Sequence, residues 1–211
     1  EEVTHSATSD NGLGGVNGFR AEFAEALADD EVTAVLIDVD SPGGRVSTIP
    51  ETAAEIRAAR GSKPIVAISN TMCASAALWL ASQADELVVT PSGVAGSVGT
   101  IMTHEDWSGF NEQLGVNVTH VTAGRYKAEG NPDEPLDDEA RAEWQAWVDE
   151  VNAMFVADLA AGRGVSVSHV QENFGQGRVL RPRAAVAAGM CDRVATIEET
   201  IARLTAGPSR R

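Results

Sequence analysis

Lysine is almost missing from this chain of 211 residues: two of its sixteen basic residues are lysine and the other fourteen are arginine. Arginine forms ion pairs and binds helix C-termini but does not release its proton near neutral pH, so it is excluded from general-base work. Among those sixteen, Lys63 and Lys127 alone can fill it. Cysteine is equally scarce. Cys73 and Cys191 stand far apart, with no C-x-x-C and no Cys/His cluster, which excludes a disulfide scaffold or a structural zinc and suits a reducing compartment. No apolar run approaches the ~18 residues of a membrane span, and the N-terminus has neither a basic nor an apolar leader region. The chain as given therefore reads as free of membrane. A net charge of -15 repels nucleic acid and anionic lipid alike. G-x-G-x-x-G and G-x-x-x-x-G-K-[ST] are both absent, so the usual nucleotide folds have no support and nothing asks for a cofactor or a metal. A chain that opens Glu1-Glu2-Val3 without Met and closes on Ser209-Arg210-Arg211 reads as a fragment or a processed form.

What is present is an alternation of helix and strand patterns. Residues 1–16, rich in Ser, Thr, Gly and Asn, read as a mobile segment, 17–205 as one domain, and 206–211 as a tail. A helix over Phe19 to Ala28 is followed by the apolar run Val32 to Val39, which suits a strand buried on both faces. Thr48 to Arg60 reads as a helix, Pro64 to Ser69 as a second buried strand, Ala76 to Gln83 as a helix and Glu86 to Thr90 as a third strand. Ser97 to Thr103 and Asn117 to Thr122 look like further strands around a short helix from Trp107 to Leu114. From Leu136 a long amphipathic helix carries Ala140, Trp144, Trp147, Val151, Met154 and Phe155 on one face, with Gly162 as its expected stop. The two tryptophans read as core or inter-subunit packing rather than ligand stacking. Ser166 to Glu172, Pro182 to Ala188 and Ile197 to Leu204 are three short helices, with Arg193 to Ala195 a last strand. This order predicts an α/β domain with a largely parallel sheet and C-terminal helices, with ligands at the carboxyl ends of the strands.

Ser75 follows a buried strand at the start of a helix, among the small residues Cys73-Ala74-Ser75-Ala76-Ala77. Free N–H groups at a helix N-terminus can hold a developing oxyanion, and small flanking side chains let a substrate backbone approach. Taken alone, the same serine also reads as an ordinary N-cap. Asp40-Ser41-Pro42-Gly43-Gly44 ends another strand and reads either as an oxyanion loop or as a tight turn.

These two segments, with Gly96-Ser97-Val98-Gly99-Thr100 and Gly124-Arg125-Tyr126-Lys127, occur in an order that closely resembles the signal-peptide-peptidase-A-like serine peptidases, relatives of the Clp protease and crotonase folds. The closing segment Val179 to Asp192 is similar too, so the resemblance spans about Phe19 to Leu204. Lys127-Ala128-Glu129-Gly130-Asn131-Pro132 and Ser75 to Trp79 look most like the branch that matures the capsids of tailed bacteriophages and prophages. The resemblance implies Ser75 as nucleophile, Lys127 as general base, and Gly43 or Gly44 with the N–H of Ala76 as the oxyanion hole. It implies polypeptide substrates bound as extended strands, a homo-oligomeric ring whose subunits complete each other's dyads, and a setting in host cytoplasm or procapsid. The soluble part of a membrane-associated, extracytoplasmic signal peptide peptidase and an inactive assembly module of the same fold are the competing expectations. So is a crotonase-like acyl-CoA enzyme, though it gives no reason for a Ser/Lys pair.

Two features depart from the family pattern: residues 1–16 offer no opening apolar strand, and Leu78 stands where an aromatic is common. Of the histidines, His5, His104, His120 and His169 all read as structural, which disfavours a Ser-His-Asp triad. A lysine acts as base only when neutral, so Lys127 is expected to be buried enough to fall below its ordinary value of ~10.4, with Tyr126 and nearby apolar strand ends supplying the environment. Lys63, in Gly61-Ser62-Lys63-Pro64, reads as a solvated loop residue and a poor base.

Overall fold

In a computed structural model the described residues are 15–206, so most of the expected mobile segment and nearly all of the tail lie outside them. The chain divides into two compact units, one built from Glu1–Gly99 with Met154–Arg211 and the other from Thr100–Ala153.

The first unit holds a six-stranded sheet. Helix α1 (Gly15–Ala28) precedes β1 (Val35–Ser41), α2 (Ile49–Ala59), β2 (Ile65–Ala74), α3 (Ala76–Ala81), β3 (Glu86–Val89) and β4 (Val94–Gly96). β1, β3 and β4 all pair in parallel with β2, which exchanges one neighbour for another along its length: Val66 to Ser69 face β3, and Met72 to Ala74 face β4. Ser69 Oγ donates to Val94 O across the changeover, at 2.8 Å. Five β2 residues from Ile65 to Ser69 are buried, as a strand between two packed faces requires. Val66 and Ile68 pack with Val88 and Ala195, and Leu36, Ile197 and Leu204 close over them. Alternation along the strand turns Ile65 and Ala67 to the opposite face.

β1 departs from the sequence reading. Asp38 and Asp40 are exposed and only Val39 is buried, so this strand is less covered than a strand buried on both faces, and it runs to Ser41 rather than stopping at Val39. The reason is position: among the described residues β1 pairs only with β2, which makes it an edge.

The second unit contains α4 (Ser108–Leu114) and the start of α5 (Asp138–Arg163), which continues into the first unit. The strands expected over Ser97 to Thr103 and Asn117 to Thr122 are absent. Their apolar residues have no sheet to join: Ile101 is 88% exposed and Val121 95%. Strand β4, three residues earlier than expected, takes the place beside β2 instead.

α5 passes through Gly162, the expected stop, and ends at Arg163. A Cβ on Gly162 would come 2.5 Å from Ser82 O and within 3 Å of the Gln83 amide, so this glycine marks a close approach to α3 and not a helix end. The expected three short helices follow as α6 (Val167–Asn173), α7 (Pro182–Ala187) and α8 (Ile197–Thr205), with β5 (Val179–Leu180) and β6 (Arg193–Val194) between them. β6 joins β3 in parallel, and β5 closes the β4 edge antiparallel. In α8, Thr196 and Glu199 exchange side-chain and backbone hydrogen bonds in a capping box, the sequence signal that fixes its start.

Candidate active site

Ser75 occupies the single residue between β2 and α3. Its backbone lies at φ 53, ψ -123, and its side chain makes no capping hydrogen bond to α3. A non-glycine residue in this region costs on the order of 1–3 kcal/mol, and a cap would normally hold the next N–H groups with its oxygen. Neither the strain nor the idle hydroxyl is explained by an N-cap, so the ordinary structural reading of Ser75 does not describe this residue. The turn is held from both sides: Ser75 N donates to Gly96 O at 2.9 Å, and Trp79 N donates to Ser75 O at 3.0 Å. The N–H groups of Ala76 and Ala77, in the first turn of α3, have no intrahelical acceptor.

Gly43 packs directly on this turn. Its φ is 103, and a Cβ there would meet Ser75 Cβ at 2.6 Å, Ala74 O at 2.9 Å and Ala76 N at 3.0 Å. Only glycine fits against Ser75 at this point. The Gly43 N–H donates to Ser41 Oγ over a long 3.2 Å, while Gly44 is exposed with open space around its α-carbon. The structure thus brings Gly43, Ser75 and Ala76 together, with Gly44 one residue away. The sequence reading did not include Ser41, the acceptor for Gly43; its place two residues before a glycine pair is the only hint of that contact.

Cys73, two residues before Ser75, is completely buried, and burial pushes its thiol well above the ordinary value. That side chain is no nucleophile.

Behind Ser75, α3 is fixed to the far half of α5. Trp79 stacks on Phe155 with ring centroids 4.6 Å apart, and its indole N–H donates to Asp158 Oδ2 at 2.8 Å. Asp158 also accepts from Arg57 Nη1 at 3.0 Å. Arg60 donates to the carbonyls of Gln83 and Ala84, just beyond α3, and of Gly162 in α5, at 2.6–2.8 Å, which ties the two segments together. No sequence motif announces Asp158, because its partners lie about eighty and a hundred residues away in the chain.

Lys127 belongs to the second unit, in a run of turns where its N–H donates to Gly124 O at 3.2 Å. It is exposed, and Tyr126, expected to shelter it, is itself 53% exposed. Lys63 is not a free loop side chain: its ammonium donates to Ala26 O and Asp29 O at the end of α1. The described histidines each have a partner of their own. His104 Nε2 donates to Asn131 O, His120 Nε2 faces Asp133 Oδ2 at 3.2 Å, and His169 Nε2 donates to Ala188 O. His5 lies outside the described residues. Among the described residues no group of His, Cys, Asp and Glu could hold a metal ion, and no helix is long and apolar enough to cross a membrane.

The parallel sheet with a strained serine between strand and helix, and a glycine loop pressed against it, places the chain in the class of Clp protease/crotonase-like folds. Within that class the chain belongs to peptidase family S49, whose sequence model matches residues 57–209. The chain is 33% identical over 191 residues to the head-tail preconnector protein GP5 of Enterobacteria phage P21, covering 90% of this chain and 38% of that protein. It is likewise 33% identical over 191 residues to capsid assembly protease C of Escherichia phage lambda, covering 90% of this chain and 43% of that protein. The chain thus spans less than half the length of these two relatives. Among solved structures it is similar to the 1510-N membrane-bound stomatin-specific protease. The match to a serine-to-alanine mutant has a TM-score of 0.59 at 17% identity, over 88% of this chain and 75% of the other. A lysine-to-alanine mutant of the same protease, in complex with a substrate peptide, matches with a TM-score of 0.55 at 18% identity, over 88% of this chain and 71% of the other. These two likenesses speak for the fold.

Proposed function

We propose that this protein is a serine endopeptidase with a Ser75/Lys127 dyad that cleaves scaffold or capsid proteins during phage or prophage capsid maturation. The observation that carries the reading is Ser75 itself: a strained residue whose hydroxyl is not spent on capping α3, with Gly43 against it and the first N–H groups of α3 beside it. In the reaction, Ser75 Oγ attacks the carbonyl carbon of the scissile bond as neutral Lys127 Nζ takes its proton. The oxyanion accepts from the N–H of Ala76 and from that of Gly43 or Gly44. Gly43 reaches it by releasing the long bond to Ser41. Collapse of the tetrahedral intermediate breaks the C–N bond, and the lysine ammonium returns the proton to the leaving amine. Water, deprotonated by the same lysine, then attacks the ester carbonyl, and as the C–Oγ bond breaks the ammonium returns that proton to Ser75 Oγ.

The exposure of Lys127 supports a site completed by a neighbouring subunit, which would supply the burial that a neutral amine needs. Exposed Trp107 and Phe110 in the same unit, with ring centroids 5.8 Å apart, favour such an assembly, since adjoining large apolar side chains on a surface mark interaction sites. The two phage proteins, at 33% identity over most of this chain, favour the capsid branch over the putative signal peptide peptidase of Enterococcus faecium, at 27%. A polypeptide substrate would add along a sheet edge as an extended strand. The test is mass spectrometry of the products from an unfolded casein substrate. The wild type should release peptides, Ser75→Ala none, and Lys127→Ala only at a small residual rate. Cleavage by Ser75→Ala at the wild-type rate would end the proposal.

A further inference from the structure

The turns that carry Lys127 are fastened to α5 by a three-way clasp that the proposed chemistry does not use. Arg125 Nη2 donates to both carboxylate oxygens of Glu139, at 3.2 and 3.0 Å. Tyr126 Oη donates to Oε1 of the same carboxylate at 2.9 Å. The Arg125 guanidinium lies over the Tyr126 ring, 4.8 Å from its centroid, so each of the three side chains touches the other two. The bond to Glu139 is also the main reason the Tyr126 hydroxyl holds its proton above the ordinary value, which keeps it a donor. Lys127 is the next residue in the chain.

Stability does not account for this arrangement. Arg125 and Glu139 are 72% and 58% exposed at their side chains, and an ion pair in such surroundings contributes little. What a closed triangle supplies is geometry. One nitrogen of a planar guanidinium and a rigid phenol converge on one carboxylate in the first turn of α5, which pins two consecutive residues of an otherwise irregular segment to a helix. The segment is held again beyond Lys127, where Trp144 lies against Gly130 and His104 donates to Asn131 O. Lys127 stands between the two fastenings.

We infer that Glu139 is a positioning residue for the general base, holding the Arg125-Tyr126 pair so that the Lys127 amine is presented in one direction. The inference rests on the reading of Lys127 as the base. A base displaced by about 1 Å loses on the order of 10²-fold in rate, so the clasp acts on kcat and not on substrate binding.

The experiment measures kcat, KM and melting temperature of the protein with a peptide substrate for Glu139→Ala, Glu139→Gln, Lys127→Ala and the double variant Lys127→Ala/Glu139→Ala. Glu139→Ala is expected to lower kcat about 10- to 100-fold with KM within about twofold of wild type and melting little changed. Glu139→Gln, which keeps one acceptor for Tyr126, should recover part of the loss. In the Lys127→Ala background Glu139→Ala should cost nothing more, because a base that is absent cannot be misplaced. Wild-type kcat in Glu139→Ala, a loss confined to KM or to melting temperature, or an equal further loss in the double variant overturns the inference. Should Lys127→Ala itself keep wild-type kcat, the base reading falls and takes this inference with it. An inactive Lys127→Ala beside a silent Glu139→Ala overturns the inference alone.

Discussion

Replacing Gly43 by alanine tests the contact between the glycine loop and Ser75 with a single methyl group. The added Cβ would stand 2.6 Å from Ser75 Cβ, whereas unstrained carbon contacts lie near 3.5–4.0 Å, so loop and serine must part by about 1 Å. Displacement of that size between reacting groups costs on the order of 10²-fold in rate. Two terms add on the side of stability. The φ of 103 is strained for alanine by about 1–3 kcal/mol, and overpacking against Ala74 O and Ala76 N adds about 1–3 kcal/mol. At about 2–4 °C per kcal/mol for a chain of this size, melting should fall on the order of 10 °C. Gly44→Ala meets no atom within 4 Å and should change stability by no more than about 0.5 kcal/mol. Thermal melts of both variants, with kcat on a peptide substrate for Gly43→Ala measured well below its melting temperature, decide the matter. Gly43→Ala with wild-type kcat and wild-type melting would refute the close approach on which the oxyanion geometry depends.

Other perturbations probe the parts around this contact. Lys63→Ala should leave cleavage intact and lower stability by about 1 kcal/mol, read by urea unfolding, because it removes two hydrogen bonds at the end of α1. Asp158→Ala strands the Trp79 indole and leaves Arg57 Nη1 with Gln83 Oε1 alone; a loss of about 1–3 kcal/mol is expected, and unchanged unfolding would show that the network is idle. Burial pushes Cys191 up to about 12 and Cys73 in the same direction, so the folded state keeps thiol protons that the unfolded chain gives up. Stability is therefore whole below about 9, falls as pH rises from there toward about 12, and should fall less steeply in Cys191→Ala. By the same burial, neither cysteine should react with iodoacetamide in the native protein at pH 8, a result read by mass spectrometry.

The parallel sheet was legible because Ile65 to Ile68 of β2 and Leu87 to Val89 of β3 are unbroken apolar runs, the pattern of strands buried on both faces. Ser75 was legible as a position but not as a state: sequence places a serine at a helix start, and only the dihedral angles and the missing cap separate a nucleophile from a cap. Asn117 to Thr122 reads as a strand by alternation, yet alternation records only side-chain periodicity, and Val118 and Val121 stay exposed without a neighbouring strand. Gly162 was misread for the opposite reason, since a glycine chosen for close packing against Ser82 looks in sequence like one chosen to end a helix. Lys63 shows the same limit, because its acceptors on α1 lie more than thirty residues away. Glu139 and Asp158 carry no local signal at all; each is one acid among thirty-one Asp and Glu residues.

The most direct measurement of the central claim is the site and rate of modification by a fluorophosphonate, which reacts with an activated serine hydroxyl and is located by peptide mass spectrometry. The adduct should fall on Ser75, and Lys127→Ala should suppress it by at least 10²-fold. An adduct on another residue, or labelling of Ser75 in Lys127→Ala at the wild-type rate, would contradict the account.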